Sequence, residues 1–358
     1  MSKEELLYDI CIIGGGINGV STALQCAEKS YSVVLFEQND LASGASSKTS
    51  KLAHGGLRYL KNLEFSLVRE SLQERNRLLD DYPDIVKPLP FVFPVYSTFD
   101  TMKIWAGLKL YDRLAKGSQM PKSQKIDIDR VKVKVPWLSV DNIKSTFLYY
   151  DAVMDYREIV NRIACNARQR SVQILSNEKV IDSIQFSEYV KVKTTKRTVC
   201  CKVLINLTGA WNKDIVTPSK GVHLITNKLK GSTATILINP YDDRVFFTIP
   251  FKGKTIIGTT DDLYTGDPDN VHVDSYDRLY ILNAINKFST QKITTNDIVD
   301  EYVGLRPLAK SDGEAGKISR DFTIKQIDRT FSMVGGKYTT HRVMCEKLTG
   351  EVEQFLGE

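Results

Sequence analysis

Paired cysteine spacings are missing from this sequence: its six cysteines, Cys11, Cys26, Cys165, Cys200, Cys201 and Cys345, include no C-x-x-C. Structural zinc sites and dithiol redox centres use that spacing, so neither is expected and no residue is assigned to a metal. Several of the thiols lie in apolar runs, where they behave as small hydrophobes, and a reducing cytoplasm suits them better than a disulfide scaffold. No apolar run approaches the ~20 residues of a membrane-spanning helix. Met1 to Tyr8 also lacks the apolar core of a signal peptide. Any membrane contact is therefore expected to be peripheral, on the inner face. Internal repeats and low-complexity tracts are absent, and histidine occurs only at His54, His223, His272 and His341.

What is present is a globular composition. With 358 residues, 42% of them hydrophobic, the chain can bury a large core and predicts two domains. The formal net charge of +6 is spread along the chain rather than gathered into one arm. It suits an anionic small molecule or an anionic surface, and no nucleic-acid partner is expected.

The N-terminal pattern is the most specific. Asp9 to Ile13 reads as a buried strand, Val20, Ala23, Leu24 and Ala27 recur at helical spacing, and Ser32 to Phe36 reads as a second buried strand. Such a βαβ unit is right-handed and its strands are parallel. Gly14-x-Gly16-x-x-Gly19 joins the first strand to the helix. The first glycine permits the tight turn, the second lets a pyrophosphate approach the backbone, and the third lets helix and strand pack closely. The helix N-terminus, where Asn18 stands, then faces the phosphate charge. Glu37, at the tip of the second strand, is placed to accept hydrogen bonds from ribose hydroxyls.

Farther on, Asp155 to Arg170 predicts a helix, and Ser171 to Leu175, Val190 to Thr194 and Val203 to Leu207 predict strands. Pro83 to Trp137 and Gly221 to Gly258 differ in character and are assigned to a second domain. Within Met102 to Lys116, Ile104, Trp105, Leu108, Tyr111 and Leu114 can share one helix face, with Lys103, Lys109, Arg113 and Lys116 available to anionic headgroups. That helix either packs on its own domain or lies at a membrane interface. Met344, Leu348, Val352, Phe355 and Leu356 give a C-terminal helix one apolar face.

Ser46 to Leu60 reads SSKTSKLAHGGLRYL, a hydroxyl-rich and basic stretch suited to a pyrophosphate and a flavin edge, or to a solvated loop. With GGGING at Gly14 to Gly19, this stretch closely resembles the FAD-dependent glycerol-3-phosphate dehydrogenases, of the superfamily that includes D-amino-acid oxidase. The likeness recurs, in the family's order, at NLTGAW (Asn206 to Trp211), KGVH (Lys220 to His223), IPFKGKTIIGTTD (Ile249 to Asp261), GLRPL (Gly304 to Leu308), ISRDF (Ile318 to Phe322) and GGKYTTHR (Gly335 to Arg342). It implies an α/β fold: a Rossmann-like FAD-binding domain built from the discontinuous segments 1–80, 150–215 and 300–358. An α+β substrate or cap domain with a mixed sheet takes 81–149 and 216–299. It also implies that the usual additional C-terminal helical domain is lacking.

By the same resemblance, FAD is held by Gly14, Gly16, Asn18, Gly19, Glu37, Ser46, Ser47, Ser50, Lys51, Leu52, His54, Gly55, Val180, Gly209, Trp211, Gly336, Lys337 and Thr339. The implied reaction oxidises sn-glycerol 3-phosphate at C2 to dihydroxyacetone phosphate, the hydride passing to flavin N5 and the electrons onward to a quinone or to oxygen. A phosphate ester needs cations, and Arg58, Arg306, Arg320 and Lys337 are the candidates, with Tyr59 as a hydroxyl partner and His223 nearby. Arg320 is expected on the phosphate side, and Arg306 and Lys337 nearer the reacting oxygen. His54 and His223 both stand as candidate bases, since an imidazole titrates near neutrality. Two rival readings stay open: a flavin oxidoreductase for an amino acid or 2-hydroxy acid, and a non-catalytic FAD-binding relative.

Overall fold

The computed structural model describes residues 7–310 and 322–357. Two sheets organise it. In the first, the strands run in the order Phe322–Ile327, Thr330–Gly335, Thr198–Asn206, Leu7–Ile13, Val33–Phe36, Gln173–Leu175, and the pair Val180–Gln185 and Val190–Thr194 joins at Thr198–Asn206. Neighbours from Thr330–Gly335 to Gln173–Leu175 are parallel. Parallel strands need cover on both faces, and all four residues of Val33–Phe36 are buried accordingly.

Helix Ile17–Glu28 packs against helices Tyr156–Gln169 and His341–Gly357 on one side of this sheet. Val20, Ala23, Ile163, Met344, Leu348 and Val352 are buried there, with Phe355 and Leu356 at the margin. The apolar face expected of the last helix is thus its packing face.

The second sheet has ten strands. Val86–Val95 pairs antiparallel with Ser145–Met154 along its whole length. Val216–Thr226 lies between Ile298–Ala309 on one side and Lys254–Gly258 and Asp262–Leu263 on the other. Residues 150–154 and 300–309, expected among the flavin-binding segments, lie in strands of this sheet. Ser145–Met154 and Ile298–Ala309 pair inside the second sheet instead. An apolar strand pattern serves either sheet equally well, and only long-range pairing assigns it. Leu52–Ala53 pairs with Ser145–Met154, so the segment after Ser46 crosses from the first sheet to the edge of the second.

Helix Thr98–Leu114 answers the question left open for Met102 to Lys116. Leu108 and Tyr111 are buried, Trp105 stacks on Phe147 at 5.3 Å, and Ile104 and Leu114 pack on the same core. Its apolar face is interior. Phe99 and Met102, off that face, are exposed. Among the described residues, no helix is long and apolar enough to cross a membrane, and no group of His, Cys, Asp and Glu could hold a metal ion.

Candidate active site

A cavity of about 1210 Å³ is lined from both sheets. It is larger than the ~300–1,000 Å³ of ordinary small-molecule sites, as an extended cofactor plus a substrate requires.

The glycine turn forms one end. Gly14 has φ +111°, and a Cβ there would lie 2.6 Å from the carbonyl oxygen of Leu207. A Cβ on Gly19 would lie 1.8 Å from the Gly14 oxygen, so helix Ile17–Glu28 approaches the strand as closely as it does only because that position is bare. The helix begins at Gly16 without a side-chain cap. The Ile17 amide donates to Ser46 Oγ at 2.9 Å, leaving the N-terminus turned toward the cavity wall that Gly16, Ile17 and Asn18 form. The Glu37 carboxylate accepts from the Gly15 amide at 2.6 Å and the Asn39 amide at 2.9 Å, which fixes it at the cavity edge. An open backbone cradle, a helix N-terminus that meets only a neutral hydroxyl at Ile17, and a held carboxylate fit the phosphates and ribose of a dinucleotide.

The other end gathers basic and aromatic groups from three segments. Tyr59 is buried, with Lys337 Nζ 4.0 Å and Arg58 Cζ 5.1 Å from its ring centroid. Lys337 follows Gly335 and Gly336, both at positive φ, and its Nζ donates to Ser71 Oγ at 3.0 Å. Gly56, at φ +76°, has no room for a side chain, because Tyr59 and Lys337 occupy it. Arg306 is pinned more tightly than expected, donating to Asp261 at 3.1 Å, Thr259 Oγ1 at 2.8 Å and the Thr260 carbonyl at 3.1 Å. It still lines the cavity.

Three histidines, His54, His223 and His341, are held neutral. His54 lines the cavity; burial pushes its pKa down to about 3, helped by the Lys337 and Arg58 charges. His223 is pushed well down by burial, then by Arg306 and Lys51. Its ring stacks on Tyr302 at 4.8 Å, its Nε2 pairs with Ser50 Oγ at 2.8 Å, and its buried Nδ1 has no partner. His341, away from the cavity, is lowered to about 4, first by burial. Each folded pKa lies below the ~6.5 of an unfolded chain, so the unfolded state binds more protons between the two values and stability is lost as pH falls through that interval. The melting temperature of FAD-loaded protein is expected to drop steadily from about pH 6.5 to about pH 4; a flat profile would contradict the assignment.

Beneath His54, the Gly55 amide donates to Tyr111 Oη at 2.8 Å and to Asp151 Oδ1 at 3.3 Å. Tyr111 donates to the same carboxylate oxygen at 2.7 Å, and Arg75 meets it at 2.9 Å. Both members of the Arg75–Asp151 pair are almost wholly buried. Replacing Asp151 with alanine strands a guanidinium in the core and is expected to cost about 3–5 kcal/mol in denaturant unfolding.

Of the residues singled out in the sequence, Gly14, Gly16, Asn18, Glu37, Ser46, Ser50, Leu52, His54, Arg58, Tyr59, Val180, Gly209, Trp211, His223, Arg306, Gly336, Lys337 and Thr339 line the one cavity. Gly19, Ser47, Lys51 and Gly55 do not line it: Gly19 serves packing and Gly55 anchors the loop. Lys51 is half-buried beside the rings of Tyr156 and Tyr302, and desolvation lowers its pKa to about 8. Arg320, with most of its block, lies outside the described residues. Lys48, Asp151, Lys179, Arg244, Phe247 and Asp261 line the cavity and were not anticipated. Lys48 and Asp261 fall inside quoted blocks, whereas the others carry no local signal.

The model of the family described as FAD dependent oxidoreductase matches residues 9–339. The chain belongs to the FAD-dependent oxidoreductase family. FAD is therefore its cofactor. Among curated members, the chain is 34% identical to the glycerol-3-phosphate dehydrogenase of Pseudomonas aeruginosa, over 98% of its own length and 72% of that protein's. It is also 34% identical to the D-erythritol 1-phosphate dehydrogenase of Brucella abortus, over 95% and 72%. Among solved structures, it resembles the FAD complex of the Bacillus halodurans glycerol-3-phosphate dehydrogenase with a TM-score of 0.77 at 28% identity, covering 100% of this chain and 66% of that one.

Proposed function

We propose that this member of the FAD-dependent oxidoreductase family oxidises sn-glycerol 3-phosphate at C2 to dihydroxyacetone phosphate. The observation that carries the reading is the grouping of Arg58, Tyr59 and Lys337 beside a neutral His54, in the same cavity as the glycine cradle. Bound FAD supplies the two-electron hydride acceptor. Arg58, with its planar fork, binds the phosphate of the substrate, and Lys337 orients the C2 oxygen as a point charge. His54, already unprotonated, takes the C2 hydroxyl proton as the hydride leaves. Arg306, anchored by Asp261, shapes the wall beside them. Glu37 and the helix N-terminus at Gly16 hold the adenosine and pyrophosphate ends of the cofactor.

A quinone or oxygen receives the electrons next. Quinone use would bring the protein to a membrane surface peripherally, and exposed Phe99 and Met102 beside Lys103 are the side chains offered for that contact. Flotation with anionic vesicles tests this contact, and the absence of binding would remove it.

The substrate is tested by anaerobic addition of sn-glycerol 3-phosphate to the yellow FAD-loaded protein, with bleaching as the expected result. Similarity to a D-erythritol 1-phosphate dehydrogenase makes that ester the necessary comparison, and faster bleaching by it would reassign the polyol. Bleaching only by an amino acid or a 2-hydroxy acid would overturn the proposal, and no bleaching by any of them would favour a non-catalytic relative.

A further inference from the structure

A second, smaller cavity of about 280 Å³ opens behind the wall of the first. Its lining includes Arg75, Arg113, Lys116 and Lys122, against a single carboxylate, Asp112. Asp112 is committed elsewhere: it accepts from the Ser123 amide at 3.0 Å and lies 3.7 Å from Lys109 Nζ. Arg75 is paired with Asp151 at 2.9 Å and directs its remaining N–H groups to the Tyr150 carbonyl, Asn76 Oδ1 and Ser118 Oγ, so it closes the wall and leaves the ligand to the outer cations. The unbalanced charge comes from Arg113, Lys116 and Lys122. All three are exposed, and no carboxylate pairs with them among the described residues.

Three like charges around one concavity repel each other and focus a positive potential into it. An anion removes that repulsion. At about 280 Å³ the cavity lies at the lower end of small-molecule sites and has room for a phosphate group. An arginine fork and two lysines are the donor types that a phosphate dianion accepts from.

We propose that this cavity is a second anion site, separate from the substrate chamber, that binds a phosphate group supplied as the free ion or as an acidic lipid headgroup. Its inner wall is Arg75 and Tyr111, the residues that, with Asp151, hold the Gly55 amide below His54. The site thus abuts the catalytic loop without sharing its cations.

The test compares FAD-loaded wild type with the triple variant Arg113→Gln, Lys116→Gln, Lys122→Gln in equilibrium dialysis against inorganic phosphate. The wild type is expected to bind one more phosphate per chain than the variant, whatever the first cavity binds, so the count does not depend on the proposed substrate. Wild type that also cosediments with phosphatidylglycerol vesicles, in competition with phosphate and not in the variant, assigns the lipid source; a difference in phosphate alone assigns the free ion. Equal phosphate counts with no variant-sensitive vesicle binding would overturn the site. Retained FAD absorbance reports folding of the variant, and if it is lost, Lys116→Gln alone is read for a tenfold weaker phosphate affinity.

Discussion

Replacing His54 with asparagine is expected to lower turnover of sn-glycerol 3-phosphate by about 10²- to 10⁴-fold, the range over which a positioned general base contributes. The histidine qualifies on geometry. It lines the cavity, its loop is fixed through the Gly55 amide to Tyr111 and Asp151, and burial with the Lys337 and Arg58 charges keeps the ring unprotonated. Asparagine preserves polarity and approximate size but cannot take a proton. FAD content should be unchanged, and the loss should appear in the rate of anaerobic flavin bleaching at saturating substrate. Near-normal bleaching would pass the role to His223, whose buried Nδ1 is unpartnered and whose ring also lines the cavity.

The second large effect concerns the cofactor. In Gly19→Ala, the added methyl would stand 1.8 Å from the Gly14 carbonyl oxygen, a backbone atom that cannot rotate away. Helix Ile17–Glu28 must then move off the strand, carrying its N-terminal amides out of reach of the pyrophosphate. Losing two charge-assisted hydrogen bonds at roughly 1.5–3 kcal/mol each weakens FAD binding by about 10²- to 10⁴-fold. The purified variant is expected to be colourless, and titration with FAD measures the loss. Retention of stoichiometric FAD at wild-type affinity would show that the turn has slack that the structure does not display.

The two predictions differ in how far the sequence alone could carry them. Gly16, Gly19 and Glu37 are legible because each serves a contact within about 30 residues of chain, in one βαβ unit whose handedness and parallel pairing follow from local sterics, whereas the close approach of Leu207 to Gly14 comes from far along the chain. The strands read at Ser32 to Phe36 and Val190 to Thr194 are legible because their pairing partners or patterns are also local. The apolar face of Met102 to Lys116 was readable as a face, but not as to what it meets. Trp105 on Phe147 is a contact across two elements, and it took the folded chain to show that the face packs inward.

By itself, the sequence determined the glycine turn, the carboxylate at the tip of the second strand, and the ordered blocks by which the chain resembles flavin enzymes. The tertiary structure decided which sheet Ser145–Met154 and Ile298–Ala309 join, how Tyr59 comes to stand between Arg58 and Lys337, and that Asp261 holds Arg306. The physical reason is the range of the interactions. Turn sterics and helix geometry act over a few residues and leave their mark in local spacing. Sheet pairing, burial of an ion pair and desolvation of a histidine depend on residues hundreds of positions apart, and the folded chain sets those distances.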